Sequence, residues 1–290
     1  MAELRSNLSA PLLRGLESLL PVSVLLTVLY PIAFVRAVIH QLYKRPNPLQ
    51  LPPIMDSRPP RARLLRLSMY LNRMFEFIPD RMNSPKWRAR CRYVGFEPVL
   101  EALAAGTPVI FTFPHFGPYS LMRRWLCAKG IRAVMITGRD IFSPSPLDQR
   151  KNEWASAAGI PPAFHLDQLS DVVREFKKGN PLTMAFDARH NREVTIPLPD
   201  GSGYRVATGA IRLAKKYGAR LFPCVLYNTG PWRFTFEMAP AVPTDALEQD
   251  DQIAAQDIVS KLLPIFMQHP DQWNTEMLDQ FVPSSTTVTS

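Results

Sequence analysis

A short uncharged run that leads at once into a helical pattern, within Thr107–Lys129, constrains the fold more than any other feature of the sequence. Val109–Phe113 is rich in β-branched and aromatic residues, which is typical of a strand buried on both faces of a parallel sheet. Gly117 then allows a tight turn, and Pro118 suits the first turn of a helix. The pattern predicts a strand that is followed directly by a helix.

The same alternation of strand and helix patterns continues along the chain. Further elements are predicted at residues 97–105 (helix), 133–137 (strand), 169–178 (helix), 182–186 (strand), 209–217 (helix) and 221–227 (strand). Such alternation is typical of a parallel or mixed sheet with helices packed on it. The sequence therefore predicts an α/β fold with a mixed, mostly parallel sheet flanked by helices.

Polar side chains follow the predicted strands at positions where ligands bind in such folds. His115 follows the first of these strands, and in open α/β sheets the crevice outside the carboxyl ends of the strands holds the ligand. Arg139 and Asp140 follow the second strand, and Asp187 and Arg189 follow the third. Guanidinium groups make forked hydrogen bonds to phosphate. These residues are therefore candidates for binding an anionic substrate, and ordinary charged surface loops are the alternative.

The N-terminal region contains an apolar segment followed by positive charge. The 18 residues from Ser18 to Val35 are uncharged but include Pro21 and Pro31. The segment is predicted either to cross a membrane as a kinked helix or to lie in the membrane interface. A buried helix of a soluble protein is the alternative. The basic residues at 36–45 predict that the main domain lies in the cytoplasm.

The formal net charge of +9 belongs to the first third of the chain. Residues 1–100 hold 15 Lys and Arg against 6 Asp and Glu, whereas the remainder holds 19 of each. Such a basic region suits anionic lipid headgroups, an acidic carrier protein or nucleic acid. Nucleic-acid binding is not expected, because the charge adjoins the apolar segment and the sequence lacks a zinc-finger, helix-turn-helix or aromatic-basic signature.

The cysteines and histidines indicate neither a metal site nor a disulfide. The three cysteines and five histidines are scattered and lack the spacing of metal ligands. Isolated thiols fit a reducing compartment. No metal is therefore expected in the candidate site.

Composition divides the chain into four parts. Residues 1–45 are predicted to form a membrane-associated helical segment, and the proline-rich residues 46–63 an extended connector. Residues 64–282 carry the α/β pattern, and the polar residues 283–290 are predicted to be a disordered tail. One catalytic domain with an appendage is the expected organisation.

A set of motifs, spread over roughly residues 90–281, carries a resemblance to a known family. The motifs are Val94–Gly106, Val109-Ile110, Pro114–Gly117, Asp187 at a strand end, the Gly209–Ala219 helix before Pro223, and Gln268–Trp273. In this order and spacing the sequence resembles the lysophospholipid acyltransferase superfamily. The branch that it resembles most is that of the late acyltransferases of lipid A biosynthesis.

The resemblance implies a glycerolipid acyltransferase-like fold and an acyl-transfer reaction. Such enzymes move a fatty acyl group from acyl carrier protein (acyl-ACP) or coenzyme A (acyl-CoA) to a hydroxyl of a lipid or lipid-like acceptor, and no further cofactor is implied. Their base is a His-x-x-x-x-Asp/Glu pair, and His115 matches its histidine. Gly117 and Tyr119 lie inside the matching motif and are expected to contact substrate. Histidine suits this role because its pKa lies near neutrality.

The motif departs from the family pattern at its acid. Ser120 stands where the pattern has Asp or Glu, and a hydroxyl can orient an imidazole but brings no charge to stabilise the protonated ring. Three explanations follow. Asp187 or Asp140 approaches His115 from a neighbouring strand end, His115 acts unaided, or catalysis is lost and binding is kept.

The sequence thus predicts an acyltransferase at the cytoplasmic face of the inner membrane, with His115, Asp187 and Ser120 as its candidate catalytic residues. Its expected partners are membrane lipid and acyl carrier protein. The alternatives are a degenerate homologue that binds lipid or acts as a scaffold, and a tailoring acyltransferase of a secondary-metabolite pathway.

Overall fold

The computed structural model describes residues 88–137, 163–188, 192–230 and 233–282, together with Pro31, Val35, Glu153 and Ser156. The strands are β1 (Cys91–Val94), β2 (Val109–Phe113), β3 (Val134–Thr137), β4 (Ala163–His165), β5 (Leu182–Ala185), β6 (Glu193–Pro197), β7 (Gly203–Ala207), β8 (Arg220–Gly230), β9 (Arg233–Met238) and β10 (Phe281–Val282). The helices are α1 (Glu97–Ala104), α2 (Met122–Ala128), α3 (Leu169–Lys177), α4 (Gly209–Tyr217), α5 (Thr244–Gln249) and α6 (Asp251–Gln268).

Seven strands form one mixed sheet in the order β1-β9-β8-β2-β5-β3-β4. Strands β8, β2, β5, β3 and β4 are mutually parallel, whereas β9 runs antiparallel to β8 and β1 runs parallel to β9. The predicted mixed, mostly parallel sheet flanked by helices is confirmed. Because β2 lies between β8 and β5, the strand that precedes His115 occupies the middle of the sheet.

Helices cover the sheet on both faces, which explains the apolar character of β2. Every residue of β2 is buried. Val109, Phe111 and Phe113 belong to the core that includes residues of α1 and α2, whereas Ile110 belongs to the core that includes residues of α3 to α6. Since successive side chains of a strand point to opposite faces, a central strand between two helical layers has no exposed side on which to place charge.

A second, three-stranded sheet lies beside the larger one, in the order β10-β7-β6. Strands β6 and β7 form an antiparallel hairpin, and β10 pairs antiparallel with β7. Helix α6 packs against β6 and β8, so it joins the two sheets. The hairpin follows directly on the segment that contains Asp187, and β10 follows the segment that contains Trp273.

The predicted elements agree with the structure within a few residues at each end. Helix α4 has the predicted bounds, and Gly218 ends it in the left-handed conformation with φ 60°. Local patterns in the sequence did not indicate the small sheet, strands β1, β4 and β9, or helices α5 and α6.

Most of the predicted membrane-associated segment 1–45, all of the connector 46–63 and the tail 283–290 lie outside the described residues. Pro31 and Val35 of the segment are helical and exposed. Among the helices of the described part, none has the length and apolar character needed to cross a membrane.

Candidate active site

The register of two neighbouring strands brings His115 and Asp187 to the same level of the sheet. Strands β2 and β5 pair in parallel, with Phe113 opposite Ala185. His115 and Asp187 each lie two residues beyond that pair. Adjacent strands are about 4.8 Å apart, so the two side chains meet although 72 residues separate them in the chain.

Two hydrogen bonds join His115 to Asp187. The ring Nδ1 of His115 is 2.6 Å from Oδ1 of Asp187, and the main-chain N–H of His115 donates to Oδ2 at 2.7 Å. An ionised carboxylate only accepts hydrogen bonds, so the proton is assigned to Nδ1 and the lone pair to Nε2. The carboxylate therefore fixes the tautomer of the ring that leaves Nε2 able to accept a proton.

The two partners of this pair differ in their access to solvent. The side chain of His115 is 18% exposed, whereas that of Asp187 is 0% exposed. The ring of Tyr119 packs edge-on against the imidazole with 4.6 Å between ring centroids, and Phe113 lies at 6.4 Å. The carboxylate is thus shielded from solvent, whereas part of the imidazole is accessible.

The turn after His115 depends on Gly117. Its φ of +57° lies in the left-handed region, and an added Cβ would lie 2.2 Å from the carbonyl oxygen of Leu226 on β8. The main-chain N–H of Gly117 donates to the carbonyl oxygen of Gln272 at 2.7 Å. Glycine is required here by both backbone conformation and space.

Tyr204 on β7 lies in the apolar layer behind Asp187. Burial, and to a smaller extent the charge of Asp187, raise the pKa of Tyr204 well above its usual value. Its ring packs against Phe186, 6.4 Å away, and Trp273, 5.7 Å away. Tyr204 is therefore a neutral, buried group at neutral pH.

Two of the three thiols are buried in the core. Burial raises the pKa of Cys91 to about 12 and raises that of Cys224 still further. Cys91, Cys127 and Cys224 are free thiols. Groups of His, Cys, Asp and Glu that could hold a metal ion are absent from the part of the chain that the structure describes.

The structure brings together some of the candidate residues and not others. His115, Asp187, Gly117 and Tyr119 lie in one cluster. Ser120 is half-buried in the 3-10 turn Tyr119–Leu121, and among the hydrogen bonds of the described residues none joins it to the imidazole. Arg139, Asp140 and Arg189 lie outside the described residues, so their predicted contacts with substrate stay predictions.

The sequence did not indicate which residues pack against the His115 turn. Gln272, Trp273 and Asn274 contact it through main-chain atoms. The signal in the sequence was the family likeness of Gln268–Trp273, which marks the segment but does not say what it touches. Main-chain contacts of this kind have no characteristic residue pattern, because any residue supplies the same N–H and C=O groups.

A partly exposed imidazole, held in one tautomer by a buried carboxylate at the strand ends of an α/β sheet, can act as a general base. The comparison with protein families gives the particular class. The chain belongs to the family of bacterial lipid A biosynthesis acyltransferases, whose sequence profile matches residues 64–279. The protein is an acyltransferase enzyme. A comparison with curated proteins finds no match.

Proposed function

We propose that this acyltransferase moves a fatty acyl group from a thioester donor, acyl-ACP or acyl-CoA, to a hydroxyl of a lipid A-type acceptor, with His115 as the general base. The observation that carries the proposal is the double hydrogen bond between His115 and Asp187. It supplies what the motif lacks at Ser120, a carboxylate on the imidazole.

In the proposed reaction Nε2 of His115 takes the proton of the acceptor hydroxyl while that oxygen attacks the thioester carbonyl carbon. The new C–O bond forms, the C–S bond breaks, and the imidazolium returns its proton to the leaving thiolate. Asp187 stabilises the imidazolium between the two proton transfers, since a charge-assisted hydrogen bond is about twice as strong as a neutral one. The proton count balances, and no cofactor is needed beyond the acyl donor.

Ser120 has no role in the proposed mechanism. A side chain at this position has to compete for Nδ1 with a carboxylate already 2.6 Å away. We therefore expect Ser120→Glu to leave the transfer rate unchanged rather than to raise it. The alternative of a degenerate homologue is not favoured, because the His115 ring retains a carboxylate partner.

We place the enzyme at the cytoplasmic face of the inner membrane, with membrane lipid and acyl carrier protein as partners. The uncharged run of 18 residues from Ser18 to Val35 and the net charge of +9 in residues 1–100 support this placement. An acidic carrier protein and an anionic lipid both complement a basic region. Arg139, Asp140 and Arg189 are proposed to contact these anionic groups.

The test is acyl transfer by membranes that contain the full-length protein. Labelled acyl-ACP and acyl-CoA are supplied in separate reactions with lipid acceptors that include a lipid A precursor. His115→Ala is expected to lower the rate by about 10²–10⁴-fold, the usual contribution of a general base. Labelled product identifies the donor and the acceptor.

The matched control is His165→Ala, which removes the histidine of the other His–Asp pair in the described residues. Its transfer rate is expected to stay within about two-fold of wild type, because His165 caps a short helical turn instead. Equal rates for wild type and His115→Ala would refute the role of His115. Product from the wild type with a non-lipid hydroxyl alone would refute the proposed acceptor class.

A further inference from the structure

The segment that follows α6, His269–Asn274, lies against the turn that carries His115. Trp273 forms an antiparallel bridge with Phe116. On either side of that bridge, the N–H of Gly117 donates to the carbonyl oxygen of Gln272 at 2.7 Å, and the N–H of Asn274 donates to the carbonyl oxygen of His115 at 3.0 Å. The peptide groups flanking the His115 side chain are thus held by Asp187 on one side and by this segment on the other.

The side chain of Gln272 fixes the segment to β8, the strand next to β2 in the sheet. Gln272 is 4% exposed. Its Oε1 accepts from the N–H of Asn228 and its Nε2 donates to the carbonyl oxygen of Asn228, both at 2.7 Å. Both bonds end on one residue of β8, so the amide pairs with it as a strand neighbour would. Only a side chain with a donor and an acceptor in this geometry completes the pair.

Strand β8, the His115 turn and Gln272 are closely packed. A Cβ at Gly117 would lie 2.2 Å from the carbonyl oxygen of Leu226, 3.1 Å from Cα of Tyr227 and 3.2 Å from Oε1 of Gln272. The turn therefore lies in a gap whose walls are β8 and the Gln272 amide. Removing that amide would free the turn to move within the gap.

Trp273, the residue after Gln272, is anchored in the core. Trp273 is 1% exposed, and its ring lies within 5.3 Å of the rings of Phe116, Phe266 and Phe281, measured between centroids. Tightly packed aromatic rings resist displacement. The segment is consequently a rigid support rather than a loose cover.

The residue before Asp187, Phe186, makes main-chain hydrogen bonds to two other strands. The N–H of Phe186 donates to the carbonyl oxygen of Phe113 at 3.0 Å, and the N–H of Ala207 donates to the carbonyl oxygen of Phe186 at 2.6 Å. The main chain next to Asp187 is therefore bonded to β2 and β7, through hydrogen bonds in which Gln272 takes no part. A displaced His115 turn would move away from a carboxylate that stays where it is.

We infer that Gln272 is a positioning residue. It holds the His115 turn at the position where both the ring and the main-chain N–H of His115 can bond to Asp187. The inference rests on the proposed function in so far as His115 is the base. It assigns Gln272 no contact with substrate. Its loss should slow the chemical step and weaken the contact between His115 and Asp187 while leaving substrate binding nearly unchanged.

The experiment compares Gln272→Leu and Gln272→Glu with Gln252→Ala in the full-length protein. Glutamate keeps the acceptor for Asn228 but loses the donor, and leucine loses both. Gln252→Ala also removes one side-chain bond to the main chain, from Nε2 to the carbonyl oxygen of Thr195 at 2.8 Å, on the surface of α6. Thermal unfolding verifies that each variant is folded.

The kinetic measurement is transfer from palmitoyl-CoA to a lipid A precursor. Both Gln272 variants are expected to lose about 10–100-fold in kcat, since a misplacement of 1 Å costs up to about 10²-fold, with KM changed by less than about three-fold. The acid limb of the pH–rate profile should move to lower pH, because a weaker carboxylate contact stabilises the protonated ring less. A Gln272 variant that is folded and as active as Gln252→Ala overturns the inference. A loss of transfer rate that is fully explained by a smaller folded fraction, with an unchanged pH–rate profile, also overturns the inference.

A second measurement does not depend on acyl transfer. Diethyl pyrocarbonate modifies neutral imidazoles, and peptide mass spectrometry reports modification at His115 alone as a function of pH. The modification midpoint is expected to lie at lower pH in the Gln272 variants than in wild type and Gln252→Ala. If this shift occurs in a protein that transfers no acyl group, the proposed function fails and the positioning role stands. If transfer occurs and the shift does not, the positioning role fails.

Discussion

Two histidine–aspartate pairs lie at the carboxyl-terminal edge of the same sheet, one beyond β2 and one at the end of β4. Nδ1 of His115 is 2.6 Å from Oδ1 of Asp187, and Nδ1 of His165 is 2.9 Å from Oδ2 of Asp167. The partners are 72 residues apart in the first pair and two in the second. The side chain of Asp187 is 0% exposed and that of Asp167 is 79% exposed.

The second pair is explained by local structure. Nδ1 of His165 faces both Oδ2 and the N–H of Asp167, at 2.9 and 3.4 Å, and the side chain of Gln168 accepts from the N–H of His165. All these contacts lie within the short 3-10 turn Leu166–Gln168, whose N-cap is His165. An exposed ion pair contributes about 0–1 kcal/mol. A fully buried carboxylate, in contrast, depends on its partner, because water cannot replace it. Burial and sequence separation, rather than the His–Asp distance, distinguish the pair that the fold has assembled.

Neutralising each aspartate in turn is expected to separate the two pairs most strongly. Asp187→Asn is expected to lower acyl transfer by about 10²–10⁴-fold, because an amide neither fixes the tautomer of His115 nor stabilises its protonated ring. Asp167→Asn is expected to keep the rate within about two-fold. Transfer assays on the two variants, with equal amounts of folded protein, decide the matter. Comparable losses in both would mean that the exposed pair also takes part.

A second test addresses the support that only the His115 pair requires. Gly117→Ala and Gly106→Ala both place a Cβ on a residue with positive φ, +57° and +70°, but only at Gly117 does that Cβ meet backbone. The shared strain costs about 1–2 kcal/mol, and the overpacking at Gly117 about 1–3 kcal/mol more. Denaturant unfolding should show the larger loss for Gly117→Ala, together with loss of transfer. Gly106→Ala should stay active.

An active and equally stable Gly117→Ala variant would contradict the close approach of β8 to the His115 turn. The pair of variants shares the same change of residue type. Any difference between them therefore reports on the surroundings of the two glycines and not on glycine as such.

The smallest expected effect concerns the His165–Asp167 pair. His165→Ala removes the side chain at the N-cap of the short 3-10 turn Leu166–Gln168, and such caps are worth about 0.5–2 kcal/mol. We expect a lower free energy of unfolding by denaturant and an unchanged rate of acyl transfer per folded molecule. A fall in rate without a fall in stability would show that His165 acts in the reaction and would remove the contrast between the two pairs.

Local patterns predicted the strands and helices that surround the site, and they failed where packing overrides them. The uncharged residues Val109–Phe113 and the glycine at 218 specify β2 and the end of α4 through steric and hydrophobic rules that act within a few residues. Helix α6 was missed, and Pro264 lies inside it. Proline normally argues against a helix interior, but burial of Ile258, Leu262 and Phe266 stabilises the helix in the core.

The sequence alone predicts that a histidine follows a strand buried on both faces, and the family motif singles out His115. It left open whether Asp187, Asp140 or no carboxylate at all would stand in for the acid missing at Ser120. The fold brings Asp187 to the imidazole of His115, because β2 and β5 are neighbours and pair in the register that places both residues at one level. Strand order is fixed by packing between residues far apart in the chain, and no local pattern encodes it.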